Sequence, residues 1–222
     1  MLFRSTEPDL LTPQIPVLLD VLDAYKIPIV GVDDYEADDV IATYSKHEKG
    51  PIRIVTGDRD LFQLVDDRRD VKVVYLAKGI SAHDLVDRKF IEEKYGIPGD
   101  RYALFAMIRG DASDGLPGIR GIGEKGAATI AQHFASLDEA ISAAENSDDR
   151  LSANVRKKLV EGKEYAAIAP KLVHCAVDVP LPTIDLRTPQ ILPSEDEITR
   201  FKTELGLGSS IDRFSSVVSS LR

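Results

Sequence analysis

The sequence predicts an α/β half followed by an all-helical half. Up to about residue 98, short runs rich in β-branched residues alternate with segments of helical periodicity. This alternation is the pattern of βαβ units and a parallel sheet. After Pro98 the remaining periodic segments all show helical spacing. We therefore expect an α/β domain over residues 1–98 and a helical lobe over residues 99–222.

In the first half, three strands and four helices are predicted. Each strand is a short apolar run with β-branched residues, as in buried parallel sheets. The predicted strands are 27–32, 52–56 and 71–77. The helices follow from apolar spacing, with Pro13 near a first turn and Gly50 just past a helix end. The predicted helices are 12–27, 35–50, 60–65 and 82–97.

Six further helices are predicted in the second half, where apolar residues recur at helical spacing. They are 99–109, 123–134, 136–145, 151–174, 194–205 and 209–221. The segment 177–193 is rich in proline, and we expect it to be extended because proline interrupts helices.

The composition is that of a globular protein with a core. Hydrophobic residues make up 43% of the 222 residues and charged residues 29%. No apolar run approaches the roughly 20 residues that span a membrane. The single cysteine, Cys175, excludes an internal disulfide and suits the reducing cytoplasm, where we expect the protein to be. Its apolar neighbours favour a buried structural thiol over a nucleophile.

Acidic residues are concentrated in one part of the chain. The formal net charge of −9 by itself argues against nucleic-acid binding. However, eleven of the acids lie within residues 31–70. A site depends on where its charges lie, and cations bound at this cluster would neutralise much of it.

Three groups of acids stand at loop edges of the predicted sheet. The first opens a predicted helix, the second follows the end of a predicted strand, and the third precedes a glycine-rich turn. Ligands of open α/β sheets sit beyond the carboxyl ends of strands, so we expect the first two groups to converge. Each group alone also fits a structural role in a first helical turn, a loop or an N-cap. The groups are Glu36, Asp38 and Asp39; Asp58 and Asp60; and Asp111 and Asp114.

Divalent metal would explain the convergence of these carboxylates. Mg²⁺ and Mn²⁺ take oxygen ligands, whereas close carboxylates without a cation repel one another. Two such ions about 4 Å apart can activate a water molecule and stabilise the leaving oxygen in phosphoryl transfer. The sequence therefore predicts a Mg²⁺ or Mn²⁺ site that acts on a phosphate ester.

The stretch "GLPGIRGIGEKGAATIAQHF" predicts a hairpin between two helices. Its spaced glycines supply a flexible turn, and its two isoleucines would anchor the turn in the core. The free N–H groups and the dipole at the start of the next helix favour a phosphate, and Lys125 adds a positive charge. Such contacts hold a nucleic-acid backbone without reading bases. A glycine-capped helix junction with an incidental lysine is the alternative interpretation.

These motifs, in this order, resemble the bacterial 5′→3′ exonuclease and flap endonuclease family. The matching stretches are "DYEADD", "TGDRDLFQLV", "GDASDGLPGIRGIGEKGA" and "SLDEAI", with Asp34 where a glycine is common. Members occur alone or as the N-terminal domain of DNA polymerase I, and the similarity runs from about Thr12 to the C-terminus. It implies a PIN-like (resolvase-like), mostly parallel sheet and a helix–hairpin–helix motif at about 110–136. It also implies two-metal hydrolysis of DNA at a 5′ end, nick or flap, in replication and repair.

The resemblance also implies roles for single residues. Four aspartates match direct ligands of the second metal ion, and three other acids would act on metal directly or through its water molecules. The four are Asp38, Asp58, Asp60 and Asp114; the three are Glu36, Asp39 and Asp111. The hairpin would hold the uncleaved duplex strand, and the family binds a monovalent cation such as K⁺ there through backbone carbonyls. The implied DNA-binding residues are Gly118, Ile119, Arg120, Gly121, Ile122, Gly123 and Lys125.

This sequence departs from the family pattern at its start. Family members begin with two strands that each end in Asp, followed by a helical arch whose cations contact the scissile phosphate. No acidic strand end precedes Thr12. We therefore expect an incomplete sheet, a first metal without its two main ligands, and a weak or inactive nuclease. Each loss of about 1.36 kcal/mol of barrier stabilisation slows a reaction about tenfold.

Two other functions stay open at this point. The chain could be a non-catalytic protein that binds DNA junctions through the hairpin and nearby basic residues. It could also hydrolyse small phosphate esters, although the hairpin would then have no evident purpose. Binding and cleavage of a flap duplex, with and without Mn²⁺, distinguish the three.

Overall fold

A computed structural model describes residues 10–112, 114–187 and 190–221. Its described strands are β1 Ile52–Thr56, β2 Val71–Tyr75 and β3 Asp84–Val86. They form one sheet, in the order β1–β2–β3. β1 and β2 are parallel, with Ile52 opposite Val71, and β3 runs antiparallel to β2, with Val86 opposite Val73. The predicted parallel pairing is therefore correct for β1 and β2, and the sheet as a whole is mixed.

Ten α-helices lie within the described residues. Several begin at a side-chain cap, because Ser136, Ser152 and Ser194 each accept a hydrogen bond from the backbone three residues on. None of these helices is long and apolar enough to cross a bilayer. The helices are α1 Ile15–Ala24, α2 Ala37–His47, α3 Arg88–Tyr95, α4 Tyr102–Arg109, α5 Glu124–His133, α6 Leu137–Glu145, α7 Ala153–Glu161, α8 Lys163–Val173, α9 Glu195–Thr203 and α10 Gly208–Ser220. Short 3₁₀ turns occur at Thr12–Gln14, Asp60–Leu64, Asp67–Arg69 and Ile80–Ala82.

The chain divides into two compact units, and the larger one spans residues 32–181. This unit contains the whole described sheet and a continuous hydrophobic core. Helix α4 is central to it, because every side chain from Leu104 to Ile108 is buried. A helix that is apolar on all sides is stable only when other elements surround it.

The smaller unit combines residues 1–31 with residues 182–222. Its described part has a separate core made by α1, α9 and α10. Tyr25 is fully buried there, its hydroxyl lies 2.6 Å from that of Ser215, and its ring packs 4.5 Å from Phe214. The predicted division into 1–98 and 99–222 stays a prediction beside this division by contacts.

The predicted strand at 27–32 is wrong. These residues have no regular secondary structure, and Ile29 is 58% exposed. A β-branched run becomes a strand only where a neighbouring strand takes up its backbone hydrogen bonds. No strand in the described part of the chain pairs with this segment.

Two predicted helices are each divided in the structure. Within 82–97, residues Asp84–Val86 form β3, and Asp87 then caps α3 by accepting a hydrogen bond from the Phe90 N–H at 2.8 Å. Within 151–174, the helix is interrupted at Gly162, which separates α7 from α8. A Cβ at Gly162 would lie 2.7 Å from the Ile119 methyl group, so a larger residue there would push against this side chain of the hairpin.

Candidate active site

The first acidic group lies at the start of α2, where Asp39 fastens the helix to its surroundings. Its Oδ2 accepts a hydrogen bond from the Glu36 N–H at 3.2 Å, and its Oδ1 accepts one from the Ala176 N–H at 2.7 Å. Both carboxylate oxygens of Asp39 therefore already have backbone partners. The neighbouring Asp38 is half-buried, and Glu36 is exposed.

Asp58 and Asp60 follow the end of β1, as predicted. The Asp58 N–H donates to Thr56 Oγ1 at 2.9 Å, and Asp58 Oδ1 accepts from the Asp60 N–H at 2.9 Å. These short-range bonds turn the chain directly after the strand, as aspartate commonly does. The turn holds both carboxylates at the carboxyl end of β1.

The first two acidic groups lie close enough to interact electrostatically. The pKa of Asp38 is raised to about 6, first by burial and then by the negative charges of Asp58, Glu36, Asp60 and Asp39. The predicted convergence of α2 with the end of β1 therefore occurs in the structure.

The third group joins the same cluster. The pKa of Asp60 is raised, first by burial and then by Asp58, Asp114 and Asp111, while Arg109 lowers it. Asp60 in the turn after β1 thus interacts both with Asp38 of α2 and with Asp111 and Asp114 of the loop after α4, although Asp114 is 54 residues away in sequence.

The cluster suits a hard cation by its chemistry. Its donors are carboxylate oxygens, and the pKa values of Asp38 and Asp60 are raised by burial and by repulsion from the other acids, both of which a divalent cation would offset. Within the described residues, no three His, Cys, Asp or Glu side chains already stand in a metal-ligating arrangement. Metal binding would therefore require these side chains to rearrange.

Asp111 is held by two arginines that the sequence reasoning did not select. Its Oδ2 accepts hydrogen bonds from Arg59 and Arg109, each with an N–O distance of 3.3 Å. Arg109 is 13% exposed, and its guanidinium lies 5.2 Å from the centre of the Phe105 ring. A signal was present in the sequence, since each arginine stands within two residues of a predicted ligand. The sequence did not indicate which acid each arginine would pair with.

The loop between Asp111 and the hairpin is closed by backbone contacts. Asp111 and Leu116 exchange N–H to carbonyl hydrogen bonds of 2.9 and 2.8 Å. Gly110 and Gly118 both have positive φ angles, of 75° and 65°. A Cβ on either would lie within 2.8 Å of the backbone of the other segment. Glycine at both positions therefore allows the two segments to meet and fixes the loop that carries Asp114.

The hairpin itself is anchored as predicted. Ile119 and Ile122 are buried, and the Ile119 N–H donates to the Ile108 carbonyl of α4 at 2.9 Å. Only their backbone could therefore face a ligand. The remaining implied DNA-binding residues, apart from buried Gly118, are exposed: Arg120, Gly121, Gly123 and Lys125.

Helix α5 begins beside this turn without a side-chain cap. Gly123 is its N-cap, and glycine offers no side-chain acceptor to the first N–H groups of the helix. From α7, Lys158 Nζ donates to the Gly121 carbonyl at 2.7 Å. This lysine, one of the nearby basic residues of the junction-binding alternative, holds the tip of the hairpin in place.

Cys175 lies next to the acidic cluster. Its pKa is raised to about 12, first by burial and then by Asp38, Asp39 and Asp60. The thiol is therefore protonated at neutral pH, consistent with a structural cysteine. Its N–H donates to Gln63 Oε1 at 3.3 Å, and Gln63 Nε2 donates to the Val173 carbonyl at 2.9 Å. These bonds tie the segment after α8 to the 3₁₀ turn that follows Asp60.

Known proteins are similar to this chain in sequence and in fold. Residues 3–96 match the family model of the 5′-3′ exonuclease N-terminal resolvase-like domain, and residues 97–195 match that of the 5′-3′ exonuclease C-terminal SAM fold. A Streptomyces coelicolor protein named 5′-3′ exonuclease is 48% identical over 206 residues, which are 93% of this chain and 68% of that protein. The chain belongs to the 5′-3′ exonuclease family.

Other family members are similar over comparable lengths. The 5′-3′ exonuclease of Mycobacterium tuberculosis is 38% identical over 96% of this chain and 70% of its own length. The DNA polymerase I of Bacillus subtilis is 31% identical over 80% of this chain but only 20% of its own length. As a member of the 5′-3′ exonuclease family, the chain is a nuclease.

Solved structures of nucleases share the fold. A zinc-bound T5 5′-exonuclease superposes with a TM-score of 0.56 at 17% identity, over 96% of this chain and 72% of that one. The catalytic core of Rad2 in complex with DNA substrate gives a TM-score of 0.55 at 18% identity, over 93% and 70%. The fold is thus a PIN-like, resolvase-type sheet, as the resemblance implied, followed by a SAM-like helical region.

Proposed function

We propose that this chain hydrolyses phosphodiester bonds of DNA from a 5′ end or flap, with Mg²⁺ or Mn²⁺ bound by its acidic cluster. The observation that carries the proposal is the convergence of acids from three separate elements, where burial and then the neighbouring acids raise the pKa values of Asp38 and Asp60. The family membership supports the reaction. The DNA and the divalent metal found with the structural neighbours support the substrate and cofactor.

The candidate ligands divide into two kinds. Four aspartates would bind metal directly, because their carboxylates lie close together and their oxygens could serve as ligands. These are Asp38, Asp58, Asp60 and Asp114. Asp39 and Asp111 would act mainly by position, since backbone N–H groups and arginines already occupy their oxygens. Glu36, exposed at the start of α2, would act through a metal-bound water. The bound ions would supply an activated water and stabilise the charge of the leaving oxygen.

The hairpin would hold the sugar–phosphate backbone. Exposed Arg120 and Lys125 supply positive charge, and the uncapped start of α5 supplies N–H donors for a phosphate oxygen. We also propose K⁺ at the hairpin carbonyls. Because the Lys158 ammonium group already donates a hydrogen bond to the Gly121 carbonyl, other carbonyls of the turn would have to bind the ion.

Cleavage of a 5′-labelled flap duplex tests the proposal. The whole chain, in excess over DNA so that slow turnover is seen, is incubated with Mn²⁺ or with EDTA. We expect cleavage only with metal and a loss of at least about a hundredfold in Asp58→Ala, a typical effect of removing one electrostatic catalytic group. Asp149→Ala, which changes an exposed acid in a loop before α7, is the control and should cleave at the normal rate.

Other outcomes would contradict the proposal in different ways. Tight binding of the flap duplex without cleavage in Mn²⁺ would instead identify a junction-binding protein. Hydrolysis of small phosphate esters with flap DNA left intact would exclude both DNA functions.

A further inference from the structure

The two arginines that hold Asp111 differ in how firmly they are fixed. Arg109 is largely buried, donates from Nε to the Gly110 carbonyl at 3.0 Å, and packs on Phe105. Arg59 is 46% exposed, and Asp111 is its one side-chain hydrogen-bond partner among the described residues. One guanidinium is therefore part of the framework, whereas the other rests on the carboxylate at the protein surface.

Arg59 can leave Asp111 at little cost. The ion pair joins half-exposed Arg59 to Asp111, which is 12% exposed, and it contributes little stability because water screens its Arg59 end. When Arg59 moves away, Asp111 keeps Arg109 at 3.3 Å, so no buried charge is left without a partner. The asymmetry of the pair makes the exchange feasible.

Arg59 is also positioned to meet a phosphate. It stands in the chain between Asp58 and Asp60, and its guanidinium reaches Asp111, so its charge lies within the acidic cluster. Guanidinium groups bind phosphate oxygens through two parallel N–H donors, a geometry that lysine lacks.

We propose that Arg59 is a phosphate-binding residue of the nuclease site, held by Asp111 in the free protein and transferred to a DNA phosphate in the complex. The inference rests on the proposed function, because it assumes that DNA reaches the acidic cluster. Asp111 then serves as the resting partner of Arg59, and Arg109 keeps Asp111 in place throughout.

The salt dependence of DNA binding tests this role. Affinity for a flap duplex is measured by fluorescence anisotropy between 50 and 200 mM salt, with Ca²⁺ replacing Mg²⁺. Each phosphate contact contributes about 0.9 to the slope of log affinity against log salt. We expect Arg59→Gln to lose one such contact, so that its affinity falls about three- to fourfold less than normal over this range. Arg59→Lys, which keeps the charge, should restore most of the slope.

Two further variants separate this role from a structural one. Arg68→Gln removes a cation that is 84% exposed and pairs only loosely with Asp66, so its slope should be normal. Asp111→Asn releases Arg59 and should tighten binding at low salt, whereas Arg59→Gln combined with Asp111→Asn should not. A folded Arg59→Gln protein with the normal slope would overturn the inference while leaving the nuclease proposal intact. Failure of the unmodified chain to bind the duplex at all would overturn both.

Discussion

At the scale of single residues, the acids of the cluster differ more than their similar chemistry suggests. The Asp39 carboxylate accepts hydrogen bonds from backbone N–H groups, and the Asp111 carboxylate accepts them from two arginines. Asp38 and Asp60, in contrast, are half-buried close to other negative charges. Sequence position placed all of them near one site but did not separate the structural acids from the strained ones. The difference depends on partners such as Ala176 and Arg59, which are distant in sequence.

Asp38→Asn should stabilise the metal-free protein at neutral pH. The folded-state pKa of Asp38 is raised to about 6, so its ionised form destabilises the fold above that pH. The full shift corresponds to about 3 kcal/mol, and because the side chain is only half-buried we expect a gain of about 1 kcal/mol. The gain should shrink as pH falls from about 6 to about 4, where the native carboxyl group is protonated.

Urea denaturation in EDTA at pH 8, 6 and 4 measures this gain. Asp149→Asn serves as the control, since it removes an exposed charge elsewhere and should change stability little at each pH. A gain for Asp38→Asn that is equally large at pH 4 would show that repulsion among the carboxylates is not its cause.

Divalent metal should stabilise the fold through the same cluster. A ligand at one hundred times its dissociation constant adds about 2.7 kcal/mol to the stability of the state that binds it. For a chain of this size, that is about 5 to 10 °C in the unfolding midpoint. Asp58→Ala should lose most of the shift, as measured by thermal unfolding with Mg²⁺ or EDTA, and Asp149→Ala should keep it. An equal shift in Asp58→Ala would place the metal elsewhere.

At the scale of elements, the loop from α4 to α5 joins the acidic cluster to the hairpin. The meeting of Gly110 with Gly118 fixes Asp111 at one end, and buried Ile119 fixes the hairpin at the other. The glycines, isoleucines and following helix were predictable, because turn residues and apolar spacing are local signals. The backbone contact between Gly110 and Gly118 was not, since it depends on how the loop closes.

Gly118→Ala should therefore destabilise the loop more than Gly115→Ala. Both glycines have positive φ, of 65° and 70°, so alanine brings a similar backbone strain of about 1 kcal/mol at each. Only at Gly118 would the new Cβ also meet backbone atoms at 2.7 Å, whereas the space around Gly115 is open. We expect an additional cost of about 2 kcal/mol or more for Gly118→Ala, measured by chemical denaturation. Equal costs would show that the close approach is unimportant.

At the scale of the whole molecule, each compact unit has its own hydrophobic core. The core of residues 32–181 includes Phe62, whereas the core of the other unit includes Phe201, and both rings are fully buried. Because cooperativity follows the packing within a core, we expect regions with separate cores to open separately.

Phe201→Ala should loosen one unit and spare the other. Truncating a buried phenylalanine costs about 3 to 5 kcal/mol. Hydrogen exchange of the native protein should show lost protection in α1, α9 and α10, with the amides of β1 and β2 unchanged. Phe62→Ala is the matched variant and should expose the sheet instead. Equal loss of protection in both units after Phe201→Ala would mean that the chain unfolds as one cooperative body.

Features that depend on neighbouring residues could be predicted from the amino-acid sequence. β-branched runs predicted β1 and β2, apolar spacing predicted most helices, and turn chemistry placed Asp58 and Asp60 just beyond a strand. The order of its motifs was enough to identify the family. Each of these signals is carried by residues close together in the chain.

Features that depend on partners distant in sequence became visible only in the folded chain. The run 27–32 is not a strand, because no described strand pairs with it. Residues 84–86 form a strand because they pair with β2. The same applies to the site, where Arg59 meets Asp111 across 52 residues of sequence. Hydrogen bonds, ion pairs and charge repulsion act over a few ångströms in space, and folding alone brings such residues within that range.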